Sequence, residues 1–344
     1  MIEFIIFTAA FAASYFGVEA IRRWSLRSGI LDIPNDRSSH EMPTPRGGGL
    51  AIVLVSLLFY TGISVFFTGN FSWSYFTGAV LISLISWLDD LYSISFFWRF
   101  IVHSAAAVIL INGLGYWQEV FIPGLNTILS LEKIGVVITF FWIVWLINAY
   151  NFMDGIDGLA GLQAVLAGTG WLIYSLFFGT QSVYLFSGVL IFASLGFLIH
   201  NWRPAKIFMG DVGSAFLGFT FAAIPLITAD EKPEGSAFLP VAAVLFVWFF
   251  VFDTAFTFVH RLARGRKVWT AHREHLYQRL VISGISHSTV SVLYGTLTFI
   301  VIAAALSGFI FRGNVELFTL ILTPLLSLLL IFLGFRRKNV DAGI

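Results

Sequence analysis

Long apolar runs dominate this sequence and limit what it can fold into. Eleven of them are each about 16 to 23 residues long, close to the length that an α-helix needs to cross a bilayer. They are too uniformly apolar for the alternating strands of an outer-membrane barrel. The sequence therefore predicts an all-α polytopic membrane protein with about eleven transmembrane helices. The runs cover residues 2–21, 48–67, 73–88, 96–112, 134–150, 160–178, 182–200, 213–229, 237–258, 288–310 and 314–335.

The composition excludes the soluble alternatives. Of 344 residues, 58% are hydrophobic and 11% are charged, against about 25% charged residues in soluble domains. Such a chain cannot cover its apolar surface in water, and it is too apolar to be intrinsically disordered. The sequence has no cysteine, which excludes a disulfide, a thiolate metal site and a cysteine nucleophile.

Basic residues predict the orientation of the spans. One set of connecting segments carries 17 Lys and Arg residues and the other carries 3, and the positive-inside rule places the first set in the cytoplasm. Arg22 and Arg23 follow the first span and no basic residue precedes it, which indicates a transmembrane helix rather than a cleaved signal peptide. We expect the N-terminus outside and the C-terminus in the cytoplasm. The basic set comprises 22–47, 89–99, 151–159, 201–212, 259–287 and 336–344.

Polar residues on the predicted cytoplasmic side gather in short strings at span ends. The first string runs from Asp32 to His40 and continues as PTPRGGG at 43–49. Three glycines at a helix start let the backbone approach an anion closely, and the Arg46 guanidinium is a planar donor suited to phosphate. The alternative is a proline-rich loop that only packs against its neighbours.

The second string is the pair Asp89 and Asp90, which ends the third span. Adjacent carboxylates repel one another, so the pair suits Mg²⁺ binding or proton abstraction. A pair of solvated acids at the membrane surface is the alternative, although negative charge at a helix C-terminus opposes the helix dipole.

The third string carries four polar residues at every third position: Asn148, Asn151, Asp154 and Asp157. Three residues turn an α-helix by about 300°, so all four cannot share one face. We therefore expect the two asparagines at the end of the fifth span and the two acids on a loop that turns into the sixth. Amide and carboxylate oxygens are hard metal ligands. Hydrogen bonding between helices is the alternative.

The fourth string, at 201–214, places the basic pair Arg203 and Lys206 and the aromatic Phe208 before Asp211, which opens the eighth span. Asp211 could act only as a helix cap, and the basic pair only as membrane anchors. Asp253 lies inside the ninth span, where an ionisable residue is either functional or part of an interhelical hydrogen bond.

The long segment 259–287 is rich in basic residues and histidines. His272 and His275 could share a helix face, but Zn²⁺ usually needs a third protein ligand, so a basic surface that meets phosphates or anionic lipid is favoured. The lone residues His103 and His287 are interpreted as structural. The strings together predict a site for a hard metal and a diphosphate at the cytoplasmic interface.

Five elements, in type and order, resemble the polyprenyl-phosphate N-acetylhexosamine-1-phosphate transferases of glycosyltransferase family 4. They are PTPRGGG at 43–49, DD at 89–90, NAYNFMDGIDGLAG at 148–161, FMGDVGS at 208–214 and HREH at 272–275. The resemblance implies that a lipid phosphate, undecaprenyl phosphate in bacteria, attacks the sugar-linked phosphorus of a UDP-N-acetylhexosamine. UMP leaves and a lipid diphosphate sugar remains. Mg²⁺, with Mn²⁺ as a substitute, would support the reaction.

The residues and the resemblance together give a predicted site within one integral membrane catalytic domain, residues 1–344. By the family pattern, Phe208 matches an aromatic residue that stacks on uracil and Asn201 a residue beside it. The predicted catalytic residues are Asp89, Asp90, Asp154, Asp157 and His275; the metal ligands are Asp211 and Asn151; and the substrate-binding residues are Arg46, Asn148, Asn201, Lys206, Phe208, Arg261, His272 and Arg273.

One departure from the family bears on its branch. The family often has two or three clustered histidines, whereas Tyr277 and Gln278 follow His275 here. PTPRGGG with HREHLYQ resembles the branch that initiates O-antigen or common-antigen synthesis, in the cytoplasmic membrane with the active site facing the cytoplasm. The peptidoglycan branch, which uses a MurNAc-pentapeptide nucleotide, is the alternative.

Two alternatives come from other classes: a transporter of anionic solutes and a non-catalytic lipid-binding scaffold. The acids cluster at one interface and no internal repeat is visible, which disfavours the transporter. The expected partners are the UDP-sugar, undecaprenyl phosphate and the lipid bilayer, without nucleic acid. A homodimer is compatible with the sequence.

Overall fold

The structure is a computed structural model that describes residues 1–34, 42–178, 180–267, 272–311 and 315–336. Residues 35–41, which include six residues of the first polar string, lie outside this range. The regular secondary structure of the described chain is helical apart from two small hairpins. Its helices are α1 (Ile2–Ser28), α2 (Gly49–Ile63), α3 (Trp73–Tyr92), α4 (Phe96–Leu114), α5 (Ile134–Met153), α6 (Leu159–Phe178), α7 (Gln181–Asn201), α8 (Asp211–Glu231), α9 (Leu239–Phe246), α10 (Trp248–Ala263), α11 (Leu276–Ile282), α12 (His287–Phe311) and α13 (Val315–Arg336).

The helices confirm an all-α polytopic membrane protein. Within the described ranges, nine helices are long and apolar enough to cross a membrane, and the bent pair of α9 and α10 makes a tenth candidate. Helix α3 has 20 residues but falls outside this set, because polar residues lie at both of its ends. Together these elements match the eleven predicted runs. Which side faces the cytoplasm stays a prediction.

The predicted ninth span, 237–258, is not one straight helix. It breaks at Val247 into α9 and α10, whose axes differ by 71°. A helix break usually coincides with proline or glycine, but the only proline here, Pro240, lies in the first turn of α9. The local sequence therefore contains no signal for this break, which depends on the tertiary contacts of the two pieces.

Helix α8 lies at the centre of the packing. Its apolar stretch is 94% buried, whereas α1, α4 and α13 are each 22% buried. Small residues near its start, including Gly213, Ser214 and Gly218, allow neighbouring helices to approach closely. Because α8 is enclosed and begins at Asp211, that carboxylate has a well-defined position.

Two antiparallel hairpins lie in the connections. Strands β1 (Leu31–Asp32) and β2 (Thr44–Pro45) bring the chain back to the start of α2. Strands β3 (Glu119–Ile122) and β4 (Thr127–Ser130) pair within the connection between α4 and α5. The turn between β3 and β4 contains Gly124 at a φ of 84°.

The starts of α2 and α8 are joined backbone to backbone. The N–H groups of Gly48 and Gly49 donate to the carbonyls of Phe208 and Met209, at 2.9 and 2.8 Å. A Cβ atom on Gly49 would lie 2.4 Å from the Cα of Gly213. The PTPRGGG and FMGDVGS strings, more than 150 residues apart in sequence, therefore form one packed unit that holds the candidate site.

We predict that Gly49→Ala destabilises the protein by about 1 to 3 kcal/mol, because the added methyl group meets backbone atoms that cannot move aside. Gly62→Ala is the matched control on the same helix, since nothing lies within 4 Å of its added Cβ, and it should be neutral or stabilising by up to about 1 kcal/mol. Thermal unfolding midpoints in detergent check both. Equal midpoints for the two variants would contradict the close contact.

Candidate active site

A cluster of three carboxylates and two guanidinium groups lies where four helices begin or end. Asp89 and Asp90 come from the last turn of α3, Asp211 starts α8, Arg46 precedes α2 and Arg99 lies in the first turn of α4. Arg46 Nε donates to Asp90 Oδ1 at 2.7 Å. Arg99 Nη1 lies 2.5 Å from Asp89 Oδ2 and 3.0 Å from Asp211 Oδ2. The folded chain thus brings together three of its four polar strings.

Asp90 caps the N-terminus of α8. Its buried carboxylate accepts hydrogen bonds from the backbone N–H groups of Asp211 and Val212, at 2.9 and 3.1 Å. These N–H groups have no partner within their own helix, and the helix dipole favours an anion there. Gly210 has a φ of 78°, and a Cβ atom on it would lie 2.6 Å from Asp90 Oδ2. The Asp90 carboxylate therefore holds the N-terminus of α8 in place.

Asp89 and Asp211 are placed differently, because their carboxylates converge on the same Arg99 nitrogen. The Asp211 side chain keeps 24% of its surface exposed, whereas that of Asp90 keeps none. A partly exposed carboxylate beside a guanidinium can receive a cation or orient a phosphate. Of the three clustered acids, Asp211 is the most accessible to a ligand, and the Asp89 side chain keeps 9% of its surface exposed.

The string Asn148 to Asp157 has the predicted shape: α5 ends at Met153, α6 begins at Leu159, and the two acids lie on the loop between them. Asn151 Nδ2 lies 3.2 Å from the hydroxyl of Ser214, in the first turn of α8. This contact puts the Asn151 amide beside the helix turn that carries Asp211. Asn148 donates instead to the Val144 carbonyl of its own helix.

The two loop acids have different surroundings. Burial, together with the nearby charges of Asp211 and Asp90, raises the pKa of Asp154 well above its ordinary value. Burial also acts to raise the pKa of Asp157, but His287 and the Ala205 N–H hold it below its ordinary value. The pKa values of these two acids are thus shifted in opposite directions, and Asp157 joins the loop to the start of α12 through His287.

The loop before α8 is tied to the acid loop by Asn201. This buried side chain accepts from the Gly158 N–H and donates to the Ile207 carbonyl, each at 2.9 Å. Phe208 is half-buried and its N–H donates to the Pro45 carbonyl, while Lys206 is exposed. The nucleotide contacts of Asn201, Lys206 and Phe208 stay predictions.

The HREH segment forms a second cluster. Arg261 pairs with Glu274 and donates to the Lys267 carbonyl. The rings of His272 and His275 are 5.0 Å apart, and burial, with a smaller contribution from the neighbouring His275, lowers the pKa of His272 to about 4.

Arg273, the remaining predicted substrate-binding residue, is half-buried. The Tyr277 hydroxyl donates to the Phe152 carbonyl at 2.9 Å, which joins the segment to the acid loop.

Two contributors were not identified as site residues from the sequence. Arg99 entered the prediction only as one of the positive charges that orient the spans, yet it bridges two of the predicted acids. His287 was interpreted as structural, and its Nδ1 lies 3.4 Å from Asp157 Oδ1. Arg99 follows Asp89 by only ten residues across a short turn, a spacing that could have indicated it. His287 is 130 residues from Asp157 and had no such signal.

The donors available for a cation are few. In the described part of the chain, no three His, Asp or Glu residues form a ligand set for a metal ion. Asp211 offers carboxylate oxygens, and Asn151 brings a side-chain amide beside the first turn of α8. Mg²⁺ often takes only one or two protein oxygens and completes its coordination with phosphate oxygens and water. The donor set therefore fits Mg²⁺ held together with a phosphorylated ligand.

Comparison with known proteins gives a consistent family signal. A family model described as glycosyl transferase family 4 matches residues 72–229. The chain is 31% identical to the probable undecaprenyl-phosphate N-acetylglucosaminyl 1-phosphate transferase of Bacillus subtilis, over 80% of this chain and 76% of that protein. It is also 31% identical to the decaprenyl-phosphate N-acetylglucosaminephosphotransferase of Mycobacterium tuberculosis, over 87% of this chain and 80% of that protein.

A relative named for a different activity has a similar sequence identity over a smaller share of this chain. The chain is 33% identical to the phospho-N-acetylmuramoyl-pentapeptide-transferase of Staphylococcus carnosus, over 62% of this chain and 71% of that protein. The range of the family model contains the acid pair, the acid loop and the start of α8. Arg46 and the HREH segment lie outside it.

We predict that Asp90 and Asp89 differ in their effect on stability. Asp90→Ala leaves two backbone N–H groups of α8 without their buried acceptor, and Arg46 keeps only the longer contact with Asp211 at 3.6 Å, so it should cost about 3 to 5 kcal/mol. Asp89→Ala should cost about 1 to 2 kcal/mol, because Arg99 keeps Asp211. Unfolding midpoints in detergent check the order. A larger drop for Asp89→Ala would contradict the capping role of Asp90.

Proposed function

The chain belongs to glycosyl transferase family 4, and from this premise we propose that it transfers an N-acetylhexosamine 1-phosphate from a UDP-sugar to undecaprenyl phosphate. The products would be UMP and a lipid diphosphate sugar that initiates O-antigen or another surface polysaccharide. Relatives named as polyprenyl-phosphate N-acetylglucosamine phosphotransferases support this class of transferase. The donor sugar, the acceptor and the cellular role are proposals.

The observation that carries the proposal is the charge balance of the cluster. Three carboxylates, counted as ionised, face two guanidinium groups, which leaves an excess of one negative charge. A diphosphate would be repelled from such a site unless a divalent cation came with it. With Mg²⁺ the excess becomes positive, which suits an anionic substrate and the charge that spreads over the transferred phosphoryl group.

Asp211 and Asn151 would hold the Mg²⁺, which would neutralise phosphate oxygens when bound. Arg99 shares its Nη1 between Asp89 and Asp211, so it can move a hydrogen bond from a carboxylate to a phosphate oxygen without leaving the site. Arg46 donates a hydrogen bond to the more deeply buried Asp90. This contact keeps the start of α8 fixed while Arg99 changes its partner. The chain's own contribution is therefore positioning and charge neutralisation.

The proposed reaction needs little proton transfer. An oxygen of the lipid phosphate forms a new bond to the sugar-linked phosphorus, and the bond from that phosphorus to the bridging oxygen of the diphosphate breaks. UMP leaves with that oxygen. A phosphate monoester has a second pKa of about 6, so it is a competent nucleophile near neutral pH. Asp89 can then orient the lipid phosphate without acting as a base.

The predicted cytoplasmic location rests on charge. All the segments that carry the candidate site belong to the set of connections with 17 Lys and Arg residues, against 3 in the opposite set. The positive-inside rule supports a site at the cytoplasmic face, in the cytoplasmic membrane of a bacterium. A sugar nucleotide and a membrane-bound lipid phosphate could meet there, since the cluster lies at helix ends rather than at mid-helix.

The peptidoglycan branch is the second candidate, because a phospho-N-acetylmuramoyl-pentapeptide-transferase is among the relatives. We favour the N-acetylhexosamine branch on the residues PTPRGGG and HREHLYQ. The two candidates differ in the donor, so one assay separates them.

We predict that purified protein in detergent, given undecaprenyl phosphate and Mg²⁺, releases UMP from at least one UDP-N-acetylhexosamine. Mass spectrometry of the lipid product would identify the sugar, with UDP-GlcNAc, UDP-GalNAc and a 6-deoxy donor in parallel. Product formed only from UDP-MurNAc-pentapeptide would move the chain to the peptidoglycan branch. Folded protein that releases no UMP from any donor would overturn the proposal.

We predict that Asp211→Asn lowers UMP release by at least about 100-fold, because a ligand and a charge at the transferred phosphoryl group are lost. Its unfolding midpoint without substrate should stay within a few degrees of the unmodified protein. Asp230→Asn, an exposed acid at the other end of α8, is the matched control and should keep full activity. Normal turnover of Asp211→Asn at physiological Mg²⁺ would contradict the metal assignment.

A further inference from the structure

Helix α10 carries a buried polar stripe that the proposed reaction does not explain. Asp253, Thr257 and Arg261 follow one another at intervals of four residues, so they lie on one face of the helix, and all three are buried. The stripe holds the HREH segment at two points. Arg261 contacts Lys267 and Glu274 at one end, and Asp253 contacts the start of α11 at the other.

The Asp253 carboxylate is saturated with hydrogen bonds. Leu276 N–H lies 2.8 Å and His275 Nδ1 3.2 Å from Oδ1. The Tyr294 hydroxyl and the Tyr277 N–H donate to Oδ2 at 2.6 and 3.1 Å. A carboxylate offers about four lone pairs, so these donors leave none for a substrate. An isolated charge at this depth would be costly, and the donors offset that cost.

The same carboxylate also holds the His275 ring, because Asp253 Oδ1 lies 3.2 Å from Nδ1. A neutral imidazole that donates from Nδ1 to this oxygen carries its free lone pair on Nε2. Asp253 also caps α11, because it accepts from the first two N–H groups of that helix. One side chain from a different helix thus holds the His275 ring and the backbone N–H groups of the two residues that follow it.

The residues that replace the usual histidines reinforce this arrangement. Tyr277 is fully buried and its hydroxyl donates to the Phe152 carbonyl. Gly155 makes room for it, since a Cβ atom there would lie 2.1 Å from the Tyr277 oxygen. Gln278 Oε1 accepts from the His275 N–H at 3.3 Å. Positions 277 and 278 therefore tether the segment to the acid loop and to itself.

We propose that Asp253 is the positioning residue of His275. It fixes the imidazole and the start of α11, so that one histidine, held in place by Tyr277 and Gln278, can contact the diphosphate of the sugar nucleotide. This inference rests on the proposed function for the role of His275. Asp253 itself does not touch substrate. Its partners within the protein are Thr257 of α10, whose hydroxyl donates to Oδ1 at 3.2 Å, and the residues of α11 and α12 described above.

The test compares UMP release by Asp253→Asn, His275→Ala and the double variant, with Asp230→Asn as the control. An asparagine keeps the volume of Asp253 but offers one acceptor oxygen and an NH₂ group that opposes the surrounding donors. Each single variant should lower kcat by about 10- to 100-fold with the KM for the UDP-sugar changed by less than about threefold. The double variant should fall no further than His275→Ala. Losses that multiply in the double variant, or normal kcat in Asp253→Asn, would overturn the proposal.

A second measurement is independent of activity. His275 has only 5% of its surface exposed, so its modification by diethyl pyrocarbonate, followed by peptide mass spectrometry, should be slow in the unmodified protein and in Asp230→Asn. Asp253→Asn should accelerate it by about fivefold or more, as the cap is lost. An unchanged rate would contradict the positioning role. Inactive protein with this acceleration would overturn the proposed function and leave the positioning intact.

If Asp253→Asn does not fold, Tyr294→Phe tests the positioning role of Asp253 instead. It removes one donor to Asp253 and leaves both backbone N–H groups in place. We expect a loss of about two- to fivefold in kcat that disappears in the His275→Ala background, with faster modification of His275. Tyr294→Phe with unchanged kcat and unchanged modification would overturn the proposal.

Discussion

The candidate site depends on one hydrogen-bonded contact between helices, the Asp90 carboxylate at the N-terminus of α8. Asp90 accepts hydrogen bonds from the first two N–H groups of that helix and pairs with Arg46, which precedes α2. Asp211 is the first residue of the helix that is held in this way. The distance between the acid pair and Asp211 is therefore set by hydrogen bonds to the backbone, which are less adaptable than contacts between flexible side chains.

The acids of this protein divide into two kinds by their surroundings. Asp90 and Asp253 are buried and saturated with donors, and each holds the start of a helix. Asp89 and Asp211 share a single Arg99 nitrogen and keep capacity for a ligand. Acids that hold structure and acids that we propose to face substrate thus alternate within the same few helix ends, and substitution data that treat them alike would mix two effects.

Apolar length and helix-end residues were sufficient to predict much of this arrangement. The eleven runs correspond to helices or helix pairs, and the acid loop between α5 and α6 has the predicted form. These features depend on local pattern. The break at Val247 and the pairing of Asp157 with His287 depend on contacts between distant segments, and no local residue type indicates them. The buried position of Tyr277 likewise follows from Phe152 at the end of α5 and Gly155 on the loop after it.

The close approach of Gly210 to Asp90 has a consequence for how such sequences can change. Any side chain at position 210 would displace the carboxylate that caps α8, and the positive φ there disfavours other residues as well. Gly210 and Asp90, which lie 120 residues apart in sequence, therefore constrain each other. A chain that lost either one would gain little by keeping the other, so the two motifs should persist or disappear together.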